Sequence, residues 1–250
     1  MKRVSSGIKG LDELLGDGFP EGKCILIVGS PGSGKTTFVM QYLYEGALAD
    51  ENGLYVAMDE RPDQIKENLS GFGWNLEKLE KEGKLFFIDA TPLKKVKKES
   101  YESLTRRSES EVMITITKLS LGRLIEIIHR MVEEESISRI AIDPITSLML
   151  RYDSKVKRRK AMLMFFDALS ETGCTSLVTT ELRTGILKRS FQLEEFLSQG
   201  VILLYTIIHA GNVIRAIQIE KMRGISHDTQ LRPYQITNKG IEVFPKDRIF

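Results

Sequence analysis

The residue pattern predicts an α/β fold: a mostly parallel central sheet flanked by helices, with an antiparallel C-terminal β extension. Three observations carry that prediction. Short apolar runs alternate with helix-spaced segments through most of the chain. A glycine-rich loop joins one of those runs directly to a helix. From Val201 onward, apolar runs follow one another with only turns between them.

Taken in order, Gly7 to Leu15 has apolar residues at helical spacing, and the turn cluster Gly16 to Gly22 closes it. Cys24-Ile25-Leu26-Ile27-Val28 suits a strand buried on both faces. A helix then runs to about Ala49. Leu54 to Met58 is a second strand, ending on Asp59-Glu60, and Pro62 follows at a helix start. Leu85 to Asp89 is a third. The stretch from Leu93 to Thr115, rich in Lys, Glu, Ser and Arg, reads as a surface excursion. Leu121 to Glu135 resumes a helix with Leu124, Ile127, Ile128 and Met131 on one face. Arg139 to Asp143 is a fourth strand, Ala161 to Leu169 a helix, and Thr175 to Glu181 a fifth strand. The tail reads as strands at Val201 to Ile207, Val213 to Ile219, Pro233 to Ile236 and Ile241 to Phe244, with Ala210-Gly211-Asn212 as a hairpin tip. With no internal repeat and no linker composition, residues 1–250 read as one domain.

Composition excludes several classes. At 42% hydrophobic and 28% charged residues, disorder is not the default, and a net charge of +2 argues neither for nor against nucleic acid. No apolar run approaches the ~20 residues that span a membrane. Met1-Lys2-Arg3 is not followed by an apolar core, so no secretory signal is read. Cys24 and Cys174 lack metal-ligand spacing and read as small core hydrophobes. A cytoplasmic location is the expectation.

The chemistry centres on Gly29-Ser30-Pro31-Gly32-Ser33-Gly34-Lys35-Thr36-Thr37, which spells G-x-x-x-x-G-K-[ST]. Glycines let the backbone curl so that successive N–H groups face phosphate oxygens, and the following helix adds its positive dipole end. Ser30, Pro31, Gly32, Ser33, Gly34, Lys35, Thr36 and Thr37 are therefore candidate phosphate-binding residues. In such a loop the lysine reaches the β- and γ-phosphates, and the Thr36 hydroxyl takes a position on Mg²⁺. Ligands of open α/β sheets sit beyond the carboxyl ends of the strands, which gathers Asp59, Glu60, Asp143, Thr180 and Glu181 around this loop. Asp143 suits a direct or outer-shell magnesium acid, although an Asp before Pro144 also suits a helix cap. Asp59 and Glu60 could orient and deprotonate an attacking water, or complement the dipole of the helix they precede.

With these pieces placed, the sequence resembles the KaiC-like branch of the RecA-superfamily ATPases, phosphate-loop NTPases of RecA-like fold, over nearly its whole length. Val4-Ser5-Ser6-Gly7-Ile8-Lys9-Gly10-Leu11-Asp12-Glu13-Leu14-Leu15 is similar to the family's G-I-x-G-L-D-x-L-L lead-in. Tyr55 to Glu60 resembles the strand that ends in a catalytic acid pair, usually Glu-Glu, with Asp59 shorter by one methylene. Gly73-Trp74-Asn75-Leu76 resembles a recurrent G-W-[DN]-[LI] segment in which the Trp reads as core. Leu193 to Val201 resembles E-E-F-L-S-D-G-V, and Glu220 to His227 resembles K-x-R-G-[TS]-x-H with Ile225 where a hydroxyl is usual.

The resemblance implies ATP and ADP as ligands with Mg²⁺, bound between neighbouring subunits of a homo-hexameric ring. It implies that Lys221 and Arg223 reach the γ-phosphate held by the next subunit, with Ser226 and His227 near the sugar or base. One family domain autophosphorylates a Ser-Thr pair; here the matching place is Glu195-Phe196, which cannot accept phosphate by that route. Hydrolysis is thus the implied activity. Two other classes stay open. One is a RadA-like DNA-associated protein in which ATP controls assembly. Its candidates are the basic runs Lys155 to Lys160 and Lys94 to Lys98, and the loop from Arg183 to Gln192 with Lys188 and Arg189. A solvated charged face is the plainer account of those runs. The other is a nucleotide-dependent scaffold whose output is a signalling protein.

Overall fold

A computed structural model describes residues 2–91, 105–108, 111–115, 120–150, 152–182, 192–209 and 211–249. Lys94 to Lys98 and the loop residues Arg183, Lys188 and Arg189 lie outside them.

The chain opens with β1 (Arg3–Val4), α1 (Leu11–Leu15) and β2 (Phe19–Pro20), β1 and β2 pairing antiparallel. Then come β3 (Cys24–Gly29), α2 (Lys35–Leu48), β4 (Gly53–Ala57), α3 (Pro62–Leu69), α4 (Leu76–Lys81) and β5 (Leu85–Asp89). Next are β6 (Thr105–Ser108), β7 (Glu111–Thr115), α5 (Leu121–Glu134), β8 (Arg139–Asp143), α6 (Ile145–Met149), α7 (Lys155–Glu171) and β9 (Thr175–Glu181). The last elements are α8 (Leu193–Leu197), β10 (Gly200–His209), β11 (Asn212–Met222), β12 (Arg232–Thr237) and β13 (Gly240–Val243).

Among the described residues, eleven strands form one sheet in the order β13-β12-β11-β10-β3-β9-β8-β4-β5-β7-β6. Every pairing from β10 to β7 is parallel. The two flanks are antiparallel: β10 to β13 on one side and β6 on the other. β3, β4, β5 and β8 are buried along their whole length, as an apolar run covered by helices on both faces requires. Two corrections follow. Part of the expected excursion is sheet: β7 and then β6 extend the sheet beyond β5, and the polar sequence of β6, Thr105-Arg106-Arg107-Ser108, hides a strand from apolar periodicity. The helix expected from Ala161 begins at Lys155, so the basic run forms the first turns of α7, capped by Ser154 accepting the Lys157 N–H at 3.2 Å.

Side-chain alternation divides the core into two layers. Ile25, Ile27, Tyr55, Ala57 and Leu177 pack under α1 to α4, with Trp74 stacked between Tyr44 and Phe72 at centroid distances of 5.5 and 4.8 Å. Leu26, Val28, Val56, Ile140 and Val178 pack under α5 to α7. Both cysteines are buried, and burial pushes each thiol's pKa up. Among the described residues no helix is long and apolar enough to cross a membrane.

Candidate functional site

Parallel strands running the same way bring the ends of β3, β9, β8 and β4 to one edge of the sheet, and the glycine-rich loop crosses that edge. Gly32 and Gly34 have φ of 76° and 86°, values that a side chain resists and that turn the backbone back over β3. A Cβ at Gly34 would also stand 2.8 Å from Ile236 Cδ1, whereas one at Gly32 would meet nothing within 4 Å. The loop is braced from the C-terminal sheet extension: the Tyr234 hydroxyl on β12 donates to Ser33 O at 2.6 Å. Ser33 Oγ is buried and has no hydrogen-bond partner among the described residues. Lys35 curls over its own loop, donating to Gly29 O at 2.9 Å and Ser30 O at 3.1 Å. Burial lowers its pKa, against the pull of Asp143 and Glu181. Ser30 and Thr36 are half-buried, Pro31 is exposed, and Thr37 turns into the core.

Asp143 ends β8 between the two strands that flank it. Its Oδ2 accepts the Thr36 hydroxyl at 2.7 Å and the Tyr55 hydroxyl at 2.6 Å, while Oδ1 accepts the Thr179 hydroxyl. The carboxylate is not spent on capping: α6 starts at Ile145 without a side-chain cap bond. Tyr55 and Thr179 were not legible from motifs: Tyr55 sits inside an apolar strand, and Thr179 is one of several hydroxyl residues along β9. Burial first, and the Asp143 carboxylate second, push the Tyr55 hydroxyl well above its ordinary pKa. Thr180, expected at the loop, is corrected. Alternation turns its side chain to the other face, where Oγ1 is buried without a partner among the described residues, and Thr179 takes its place. Glu181, opposite Gly29 in the β3–β9 register, is exposed at the site.

The donor set fits a hard divalent cation. Thr36 Oγ1 and Asp143 present oxygen at the loop, and no group of three or more His, Cys, Asp or Glu forms a self-sufficient cage among the described residues. Mg²⁺ is ordinarily held in this way, by one or two protein oxygens together with substrate phosphates. Asp59 and Glu60 are exposed directly beyond β4, where the Met58 N–H bonds Asp143 O at 2.8 Å. Asn68 donates to Glu60 at 3.4 Å, and the Glu60 charge contributes to raising the Tyr55 pKa.

Four expected residues lie elsewhere. In the β10–β11 register Lys221 faces Val201, which pairs with Leu26 of β3, and the Arg223 N–H bonds Gln199 O. Both therefore sit toward the start of β3, whereas the phosphate loop follows its end. Six residues of strand separate those ends, roughly 16 Å at ~3.3 Å per step. Lys221 Nζ donates to Glu195 O and Ser198 O, and exposed Arg223 donates to Phe196 O at 3.3 Å. Burial and then the Arg223 charge lower the Lys221 pKa. Ser226 is exposed, and His227 Nδ1 lies 3.5 Å from Ile225 O. The next residue, Asp228, ties the segment to α1 through its N–H on Leu14 O at 3.0 Å.

Residues 4–248 match the family model described as "ATPase: KaiC". A UPF0273 protein of Thermotoga maritima is 34% identical over 249 residues, covering 99% of this chain and 98% of that protein. The circadian clock oscillator protein KaiC of Synechococcus elongatus is 34% identical over 246 residues, covering 97% of this chain but 44% of that protein. A crystal structure of a KaiC-like protein from Pyrococcus horikoshii OT3 superposes with a TM-score of 0.80 at 33% identity, covering 98% of this chain and 99% of that one.

Proposed function

The chain belongs to the KaiC family of ATPases, with the RecA-type phosphate-loop fold, and from that premise we propose that it is a Mg²⁺-dependent ATP hydrolase acting as one domain at the subunit interfaces of a homo-hexameric ring. One observation carries the reading. Lys221 and Arg223 sit at the opposite end of β3 from their own phosphate loop, so the cations the family motif supplies to phosphate serve a neighbour's nucleotide.

In this reading Lys35 releases Gly29 O and Ser30 O to meet the β- and γ-phosphate oxygens, while loop N–H groups and the start of α2 hold the rest of the polyphosphate. Thr36 and Asp143 hold the magnesium ion, which when bound supplies charge neutralisation at the phosphates. Glu60, which accepts a hydrogen bond from Asn68 beyond β4, orients the attacking water and accepts its proton, with Asp59 beside it as the alternative. The neighbour's Lys221 and Arg223 stabilise the charge that develops on the transferred phosphoryl oxygens. Ser226 and His227 lie nearer the sugar or base.

The deciding experiment is oligomer mass by light scattering, with and without ATP and Mg²⁺, on wild type and Arg223→Ala, with phosphate release read on the same samples. A nucleotide-promoted ring whose turnover fails in Arg223→Ala while ATP still binds supports the shared site. Equal hydrolysis by a monomer, indifferent to Arg223, rejects it.

One observation favours a second, DNA-associated reading. Lys155, Lys157, Arg159 and Lys160 are exposed on the first turns of α7, with no acidic residue in its first turn, so the cations stand against the helix dipole. Because β8 ends at the loop edge and α7 leads back to the start of β9, those turns share the nucleotide edge. Salt-sensitive binding of single-stranded oligonucleotides that weakens on neutralising Lys157, Arg158 and Arg159 would establish it; a signalling scaffold would show neither that binding nor appreciable turnover.

A further inference from the structure

Tyr55 has a ring that belongs to the core and a hydroxyl that does not. The side chain is fully buried, its ring 5.8 Å from that of Phe87 at a 43° tilt, among the apolar residues under α1 to α4. Phenylalanine would fill that place. A buried hydroxyl costs free energy unless it is hydrogen-bonded, and the bond it makes goes to Asp143 Oδ2, the same oxygen that accepts Thr36.

Register explains why this tyrosine reaches. Asp143 pairs with Ala57 across β8 and β4, and Tyr55 lies two residues earlier on the same face. On the other flank Ile142 pairs with Val178, which brings Thr179 level with Asp143. The carboxylate is thus gripped from both neighbouring strands by donors that belong to the sheet, and it presents Oδ2 to the one donor that belongs to the loop. A carboxylate has about four acceptor sites, and three are filled, so its rotation is restrained before any ligand arrives.

We infer that Tyr55 is a positioning residue for the metal: its hydroxyl, opposed by Thr179, holds Asp143 aimed at Thr36 and thereby sets the Mg²⁺ affinity of the nucleotide-loaded loop. This rests on the reading of Thr36 and Asp143 as the magnesium residues. Partners that orient a ligating group from behind commonly change metal affinity by about 10–100-fold when removed.

The test is Mg²⁺ titration of the protein saturated with a non-hydrolysable ATP analogue, read as the rise in thermal unfolding temperature. Tyr55→Phe keeps the ring and removes the hydroxyl, and it is expected to move the Mg²⁺ midpoint up by about tenfold. A role in packing alone would lower the unfolding temperature equally at every Mg²⁺ concentration and leave the midpoint in place. A cycle with Asp143→Asn separates the two further: Tyr55→Phe has little additional effect on the midpoint once the carboxylate is gone. Should Tyr55→Phe not fold, Thr179→Val removes the opposing donor and is expected to move the midpoint the same way. A midpoint within about twofold of wild type, or a fully additive cycle, overturns the inference while the Mg²⁺ reading survives. A wild-type protein whose unfolding with the analogue is indifferent to Mg²⁺ overturns both.

Discussion

Lys35 lies folded back on its own loop. Its position in G-x-x-x-x-G-K-[ST] announces a phosphate partner, and in the structure it lies against Gly29 O and Ser30 O at 2.9 and 3.1 Å. Those carbonyls satisfy a buried ammonium whose pKa is already lowered by burial, so phosphate competes for a pre-aimed group. Lys35→Ala is expected to weaken ATP binding by roughly ten- to hundredfold, the worth of a charge-assisted hydrogen bond of about 1.5–3 kcal/mol, measurable by calorimetry. The acid pair makes a second residue-scale prediction. Glu60→Gln is expected to slow phosphate release by about 10²-fold or more with ATP affinity retained, whereas Asp59→Asn costs less than about tenfold. The reverse order in single-turnover assays would assign the water to Asp59. The sequence made both acids candidates equally. The choice of Glu60 in the proposed mechanism rests on a contact outside the motif, the Asn68 amide donating to Glu60 at 3.4 Å.

At the scale of elements, α2 shows how the sheet secures the helix behind the loop. Its last turn holds no basic residue, and Arg139 of β8 braces the helix further back, from the sheet side. Arg139 Nη1 donates to Tyr42 O at 2.8 Å, its guanidinium lies over the Tyr42 ring at 4.5 Å, and it pairs with Glu51 at 2.5 Å. Room for this side chain is made by Gly46, where an added Cβ would stand 2.3 Å from Arg139 Cδ. Alanine normally improves a helix interior by about 1 kcal/mol over glycine. Here overpacking against an arginine held at three points is expected to dominate, so Gly46→Ala should destabilise by about 1–3 kcal/mol in urea unfolding. A stabilised variant would mean that Arg139 moves freely. The main helices and strands were legible because apolar spacing is a local property; β6 was not, because an edge strand need not be apolar, and the short apolar run of β7 was hidden in a charged stretch.

On the scale of the whole molecule, the two halves of the expected site do not meet within one chain. The phosphate loop follows the end of β3, and Lys221 and Arg223 lie by its start. An equimolar mixture of Lys35→Ala and Arg223→Ala, each inactive alone, is therefore expected to recover part of the wild-type phosphate release. Some interfaces in a mixed ring pair an intact loop with an intact Arg223. A mixture as inactive as its components would place both groups in one subunit's site and sink the shared arrangement.

From residue types and spacing came the phosphate loop, the mostly parallel sheet implied by strand–helix alternation and the antiparallel tail, and from resemblance along the chain came the family. The first three are built from local patterns, where backbone geometry maps sequence directly onto space. Tertiary structure alone decided what surrounds Asp143 and the loop. Tyr55, Thr179 and Tyr234 reach their partners across 88, 36 and 201 residues of chain. No local spacing marks any of them, and strand register, set by the packing of the whole sheet, determines which hydroxyl faces the carboxylate and which, like that of Thr180, is turned away.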